Sequence, residues 1–386
     1  MPRPVPRYPL GNCANLPEGP MTADAPLNDH RFPCHTCGSD LRFDPASAQL
    51  VCDHCGNTEA IGGGASPFGG VVELDFRQAL DNALPGAELE ETRVQSCPNC
   101  GAQFELQADI HAAECPFCAT PVVTDTGTHR HIKPRGLLPF ALDQTHARSA
   151  VTDWLGSLWF APGGLNEYAR KGRAMDGIYV PYWTFDAQTA SQYIGQRGTY
   201  YYTSRTIVRD GKSQTIRERH TRWTGAAGRV QRFFDDVPVL ASTSLPKQYT
   251  DGLEPWDLSE LEPYQPQYLA GFRAEGYQVE LQDGFTEARG YMDRMILRDV
   301  KFDIGGDEQR VTNVQTQVSA VSFKHILLPV WMAAYKYNGQ TYRFVVNGRT
   351  GRVQGERPYS KWKIAFAVLL GLVFALAVGY FYAMNQ

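Results

Sequence analysis

No phosphate loop G-x-x-x-x-G-K-[ST], no G-x-S-x-G elbow and no H-E-x-x-H helix occurs in the 386 residues of this chain. Nucleotide hydrolysis therefore lacks its cradle of backbone amides, and two widespread hydrolytic constellations are missing. Lysine is absent from residues 31–130, which carry five arginines against fourteen acidic side chains, a formal balance of −9 inside a chain of net charge −4. A nucleic-acid backbone needs the opposite sign, so nucleic acid is an unlikely partner for this segment. Charge of either sign is absent from Ile364 to Met384. Near Met1 there is no basic stretch followed by an apolar core and a small-residue cleavage site, so no secretory leader is expected.

What is present begins with nine cysteines, eight of them in pairs. Cys34-x2-Cys37-x14-Cys52-x2-Cys55 is followed by Cys97-x2-Cys100-x14-Cys115-x2-Cys118. A thiolate pair two residues apart folds into a knuckle presenting both sulfurs to one ion, and a second knuckle on a returning strand completes a tetrahedron. Leu41 and Phe43 before Asp44-Pro45, with Leu50 and Val51 after, supply the hairpin in the first copy; Phe104 and Leu106 begin the second. Rubredoxin-type iron uses the same knuckles, and disulfides or a dithiol redox pair are the other readings. The short gap favours a zinc ribbon, and no βαβ pattern surrounds any pair. Two structural Zn2+ ions are expected, because four cysteines close the sphere and leave no position for substrate. His35 and His54 sit inside knuckles as tips rather than ligands, and Cys13 is an incidental thiol.

The uncharged run of 21 residues from Ile364 to Met384 is long enough, at about 1.5 Å per residue, to cross a hydrocarbon layer of about 30 Å. Trp362, Tyr380 and Tyr382 flank it as interfacial anchors, and Lys361 and Lys363 mark its N-terminal side as cytoplasmic. A single pass through the plasma membrane with the body inside the cell is expected, in the reducing compartment that suits metal-bound thiolates. Ala367, Gly371, Ala375 and Gly379 recur every four residues, a stripe on which a second helix backbone could approach closely, so the span is a candidate for homo-oligomerisation.

Residues 1–30 are a Pro-rich disordered lead-in, 31–60 the first ribbon, 61–95 a linker with a short helix around Val72 to Leu84, and 96–130 the second ribbon. Residues 131–360 form an α+β body and 361–386 the anchor. Apolar positions at 147, 150, 151, 154, 155 and 158 predict a helix over Asp143 to Trp159. Strands follow at Ile178 to Ala187, then at 191–208 and 213–223 around an Asp210-Gly211 turn. The order recurs with a helix near Thr286 to Leu297, a strand at Thr312 to Ser319, Leu328-Pro329-Val330-Trp331, and strands divided at Asn338-Gly339 and Asn347-Gly348. Two αβ units, each with a Pro-x-Trp strand, read as a degenerate duplication with antiparallel pairing. Their tryptophans and tyrosines are assigned to the core. The last hairpin ends near Val353, which holds the body close to the bilayer and leaves the ribbons to be presented away from it.

Other candidate chemistry is weak. Asp307-Glu308-Gln309-Arg310 matches a helicase acidic motif by letters alone. His129 and His131 read as a solvated linker, and Asp186 with Asp235-Asp236 as solvated carboxylates on a loop. No catalytic residue is assigned.

Several longer strings are more specific than the cysteines: Leu158-Trp159-Phe160-Ala161-Pro162, Val180-Pro181-Tyr182-Trp183-Thr184-Phe185-Asp186, Phe234-Asp235-Asp236-Val237, Pro255-Trp256-Asp257-Leu258, Lys324-His325-Ile326-Leu327-Leu328-Pro329-Val330-Trp331 and Asn347-Gly348-Arg349-Thr350-Gly351. Together with the cysteine pairs, they give a chain that resembles bacterial single-span membrane proteins with TFIIB-type zinc ribbons, often labelled primosomal protein N′ or replication factor Y-like. The motor motifs of such a helicase are missing here. The resemblance implies association with phage-shock protein A-like and SPFH/flotillin-like proteins, in membrane organisation or envelope stress. The expected function is a non-enzymatic membrane adaptor that docks a protein. A membrane-tethered nucleic-acid or replication protein is the first alternative, and an unrecognised enzyme in the body the second.

Overall fold

The computed structural model describes residues 32–62, 71–99, 101–105, 112–115, 117, 120–123, 127–159, 175–209, 212–337, 340–356 and 360–384. The N-terminal part is made of short strands: β1 (Arg42–Asp44), β2 (Gln49–Val51) and β3 (Thr58–Ala60) form one three-stranded antiparallel sheet. After β4 (Leu74–Asp75) comes α1 (Phe76–Leu80), capped by the Asp75 carboxylate on the Gln78 amide, and shorter than the periodicity predicts. β5 (Leu89–Ser96) pairs with β6 (Gln103–Glu105) and with β9 (Gly127–Ile132), while β7 (Ala112–Glu114) pairs with β8 (Pro121–Val123).

The rest is one large mixed sheet with helices on it. In chain order it runs through β10 (Gly136–Leu137), α2 (Gln144–Ser157), β11 (Asp176–Arg209), β12 (Lys212–Leu240) and α3 (Lys247–Asp251). It continues with β13 (Glu262–Pro263), β14 (Arg273–Ala274), α4 (Leu281–Ile304), β15 (Glu308–Tyr337), β16 (Gln340–Asn347), β17 (Val353–Gly355) and α5 (Lys361–Met384). β11 pairs antiparallel with β12 and β15, and β15 with β16; β10 joins β15, and β14 joins β11, in parallel. The segments expected as separate strands are continuous, since 178–187 and 191–208 lie in one strand of 34 residues. Irregularities between Phe185 and Ala187 and between Ile194 and Gly195 change its register without breaking it.

The two αβ units share a hydrogen-bonding pattern. Trp331 donates its indole N–H to Leu142 O at 2.8 Å, just before α2, and Trp183 donates to Val279 O at 2.9 Å, just before α4. Gly348 O accepts from Ala141 and Leu142, as Ala241 O accepts from Gln278 and Val279. Gly348 N–H in turn bonds Pro329 O, and Ala241 N–H bonds Pro181 O, so each Pro-x-Trp strand anchors a turn in the same way. Each tryptophan thus ties its own strand to the other unit's helix. Trp183 and Tyr179 are fully buried and Trp331 nearly so, in the core as expected, whereas Trp159, Tyr201 and Tyr202 are exposed, against that expectation. Along α4 the buried positions Leu281, Gly284, Ala288, Met292, Ile296, Val300 and Ile304 make a single stripe on β11 and β12. Gly284 is bare because a Cβ there would stand 2.8 Å from the Trp183 ring. α5 carries the apolar run, wholly exposed, and its 21 residues Trp362–Tyr382 are long and apolar enough to cross a membrane.

Candidate metal centre

Each of the cysteine turns is closed by backbone bonds that the spacing dictates. Cys34 N–H donates to Ser39 O at 2.8 Å and Gly38 N–H returns to Cys34 O at 2.8 Å; Cys52 repeats the pair with Asn57 and Gly56 at 2.9 Å. Gly38 and Gly56 hold φ of +77° and +74°, a conformation glycine adopts without a Cβ penalty. β1 and β2 then bring the two knuckles together. Cys34 Sγ lies 3.6 Å from Cys55 Sγ, Cys37 Sγ lies 3.5 Å from Cys52 Sγ, and all four sulfurs fall within 4.8 Å of one another. A zinc tetrahedron with Zn–S near 2.3 Å has edges of about 3.8 Å, so the quartet fits that ion closely. Thr36 N–H approaches Cys34 Sγ at 3.4 Å and Asn57 Nδ2 at 3.7 Å, donors that suit a thiolate. His35 is turned outward, 3.5 Å from Glu59, and His54 is exposed; neither joins the quartet.

The thiols ionise unequally. The Ser39 amide and hydroxyl pull Cys37 down to about 6. Cys55 is pushed up to about 12: the Asn57 amide pulls the other way, but burial and the three neighbouring thiols outweigh it. Like charges this close do not all ionise unaided. A divalent cation among them would allow four thiolates at once, which is the chemistry this donor set suits.

The second copy has the same turns wherever it is described. Cys97 N–H donates to Ala102 O at 2.8 Å, Gly101 N–H to Cys97 O at 2.9 Å, and Cys115 N–H to Thr120 O at 2.8 Å. Gly101 has φ of +74°, and Cys97 and Cys115 are buried. Cys100 and Cys118 lie outside the described residues, as do the hairpin residue Leu106 and Cys13.

The ribbons are not held away from the body. Phe43 N–H donates to Ala270 O at 2.8 Å, and the Phe43 ring packs edge-on to Tyr268 at 5.3 Å and against Phe272 at 6.3 Å. Cys34, Leu41, Phe43, Leu50 and Cys52 belong to the same core as Phe140, Tyr179 and Trp331. Cys97, Ala102, Cys115 and Phe117 join the core of Leu138, Ile178 and Leu328. The few apolar side chains of these acidic segments are thus spent on packing against the body.

Two polar clusters lie inside the body, and both contradict the solvated readings of their residues. The Lys324 ammonium is 2.7 Å from Asp236, 3.2 Å from Glu73 and 3.9 Å from Asp186, with Lys324 and Asp186 buried. Burial, and a hydrogen bond shared with Glu73, raise Asp186 to about 7; Glu73 falls to about 2 despite burial, through Asp186, Ser322 and Lys324. Asp236 N–H completes the cluster by donating to Asp186 at 2.6 Å from a backbone at φ +48°.

The second cluster contains Glu275 and His325, both buried, beside a cavity of about 20 Å3 also lined by His131 and Tyr277. Burial pushes Glu275 up to about 8, although Ser244, Ser242 and Gln278 all donate to Oε1. Burial lowers His325 to about 4, and its Nδ1 is 2.7 Å from Ile132 O. His131 packs edge-on to Tyr277 at 4.9 Å. That volume holds about one water. Sequence reasoning passed over Glu73, Glu275, Lys324 and His325; the available signal was Lys324-His325 standing directly before the apolar run Ile326 to Trp331.

Asn347 explains the turn string around it. Its Oδ1 accepts from Arg349 and Thr350 N–H at 2.8 and 3.0 Å, its Nδ2 donates to Leu253 O, and Gly351 follows at φ +73°. Ala367, Gly371, Ala375 and Gly379 lie four apart on α5, and at Gly371 and Gly379 there is nothing within 4 Å of where a Cβ would stand.

Among known proteins, the chain is similar to the uncharacterized protein YdjG of Bacillus subtilis (strain 168), 26% identical over 335 residues that cover 86% of this chain and 92% of that protein. No family model matches. No solved structure matches either.

Proposed function

We propose that the chain is a non-enzymatic adaptor anchored in the cytoplasmic membrane by α5, with a rigid α+β body and two structural zinc ribbons that dock a protein partner. The observation that carries this reading is the thiol quartet: the sulfurs of Cys34, Cys37, Cys52 and Cys55 lie within 4.8 Å of one another, and four thiolates on one ion would leave no position for substrate. Cys97, Cys100, Cys115 and Cys118 would hold the second ion, and the repeated backbone bonds support that assignment. They also support the ribbon fold itself, while the paired tryptophan bonds support a diverged duplication of the body.

Lys361 and Lys363 favour a cytoplasmic body, as does a reducing compartment for eight thiolates. A phage-shock protein A-like or SPFH/flotillin-like partner is what the sequence resemblance implies. The stripe Ala367, Gly371, Ala375, Gly379 offers a self-association face in the span. The test is affinity capture of the membrane-embedded chain after chemical crosslinking: Cys34→Ser with Cys97→Ser should abolish partner recovery while membrane insertion persists. Unchanged recovery would remove the ribbons from the docking role. Gly371→Leu with Gly379→Leu should lower self-association in a membrane two-hybrid assay, and no change there would leave the stripe as ordinary helix composition.

A further inference from the structure

β11 and β12 outrun the rest of the sheet. Their neighbour β15 stops pairing at Gly198↔Glu308, and beyond it the two strands continue alone from Thr199↔Arg222 to Arg209↔Lys212. At about 3.3 Å per residue this ribbon is about 36 Å long. A lone two-stranded ribbon is marginal in water, so its order needs a local cause. Guanidinium groups lie over aromatic rings here: within the lone ribbon Arg217 is 4.0 Å over Tyr202 and Arg219 is 4.3 Å over Tyr200, and at its three-stranded base Arg310 is 3.8 Å over Trp223.

Directly paired residues share a face. The pairs Tyr202↔Arg219, Ser204↔Arg217, Tyr200↔Thr221, Gly198↔Trp223 and Gln196↔Arg310 therefore place all three stacks on one side of the arm. Gly198 makes room, since a Cβ there would stand 3.0 Å from Trp223 and 2.8 Å from Thr221. Among the described residues, acidic groups stand at the base of this face, where Glu308 is 3.5 Å from Thr221 and Asp307 accepts from Tyr200 N–H at 2.7 Å. On the opposite face Arg205 is paired with Glu218 at 3.2 Å, and Arg222 lies farther from its ring, 5.4 Å over Tyr201.

We propose that the Arg217, Arg219, Arg310 face is a docking surface for a nucleic-acid duplex. A guanidinium held against a ring is already partly ordered, so less side-chain freedom is lost when its N–H groups meet a phosphate. A two-stranded ribbon fits a major groove about 12 Å wide. The acidic segment 31–130 repels the same polyanion, which leaves the arm as its point of approach. From Glu308 to Ala333, the register at which Phe344 and Gly355 lead out toward α5, there are about 80 Å of strand.

The inference is independent of the adaptor reading. It is tested by fluorescence anisotropy of a labelled 20-base-pair DNA of random sequence with the full chain in neutral-lipid nanodiscs. Binding through three phosphates should weaken about forty-fold between 50 and 200 mM salt. Arg217→Gln alone should reduce the log–log salt slope by about 0.9, and the triple variant with Arg219→Gln and Arg310→Gln should bring it close to zero. Arg205→Gln on the other face should leave the slope unchanged. Absence of binding at 50 mM salt, a wild-type slope in both Arg217 variants, or displacement of the duplex by polyglutamate at equal charge would overturn the proposal, the last pointing to an acidic protein.

Discussion

Lys324 meets three carboxylates brought from three places in the chain: Glu73 between the ribbons, Asp186 at a strand irregularity and Asp236 on the returning strand. None of these is remarkable as a letter in the sequence. The raised value of Asp186 and the lowered one of Glu73 depend on each other and on Lys324, which no local pattern encodes. Glu275 is the more tractable residue. It titrates near 8 in the folded chain against about 4.3 when unfolded, so the native state holds a proton that the unfolded state releases. Its contribution to stability is complete below the unfolded value and is lost as pH rises toward 8. His325, lowered to about 4, has the opposite sign and acts only below about 6.5. Between pH 6.5 and 8, wild type should therefore lose about 2 kcal/mol relative to Glu275→Gln. Urea unfolding of both proteins at the two pH values measures that difference, and parallel curves would show Glu275 to be ionised in the native state.

At the scale of elements, periodicity located both large helices, because each buries one stripe and the 3.6-residue repeat records it. It divided the long strands wrongly. Polar alternation over 191–208 and 213–223 looks like a separate hairpin, yet the backbone continues unbroken from the buried run at Ile178. Continuity is decided by pairing with β15, a partner more than a hundred residues away in the chain. The tryptophan bonds give an element-level prediction. Trp183→Phe and Trp331→Phe each leave one carbonyl, Val279 O or Leu142 O, without its indole donor, at a cost of about 1–3 kcal/mol. Denaturant titration should give similar losses for the two. The arm is separable by the same reasoning. Replacing residues 199–222 with Asn-Gly should keep the body's melting midpoint, since nothing beyond Gly198 pairs with the third strand; a large drop in thermal unfolding would show that the arm supports the core.

For the whole molecule, α5 is long and apolar enough to span a membrane, and the sulfurs of Cys34, Cys37, Cys52 and Cys55 lie close enough to share one ion. Deleting 361–386 should move the protein from the alkali-resistant membrane fraction to the soluble fraction, because no other described helix is long and apolar enough to span. Metal analysis should find two zinc ions per chain, and Cys34→Ser should remove one. That loss should lower the melting midpoint of the body as well, since Phe43 and Cys34 share a core with Phe140 and Trp331. A differential scan of the variant decides between shared and separate unfolding.

The cysteine spacing and the uncharged run of 21 residues determined, from sequence alone, a metal-binding pattern and a helix able to cross a bilayer. Both are local: a knuckle is closed within six residues, and a span needs only length and an absence of charge. The docking of the acidic ribbons into the body, the neutral Glu275, the lysine among three carboxylates and the basic arm were decided only by tertiary structure. In each of these, the energy belongs to groups that are distant along the chain and adjacent in space.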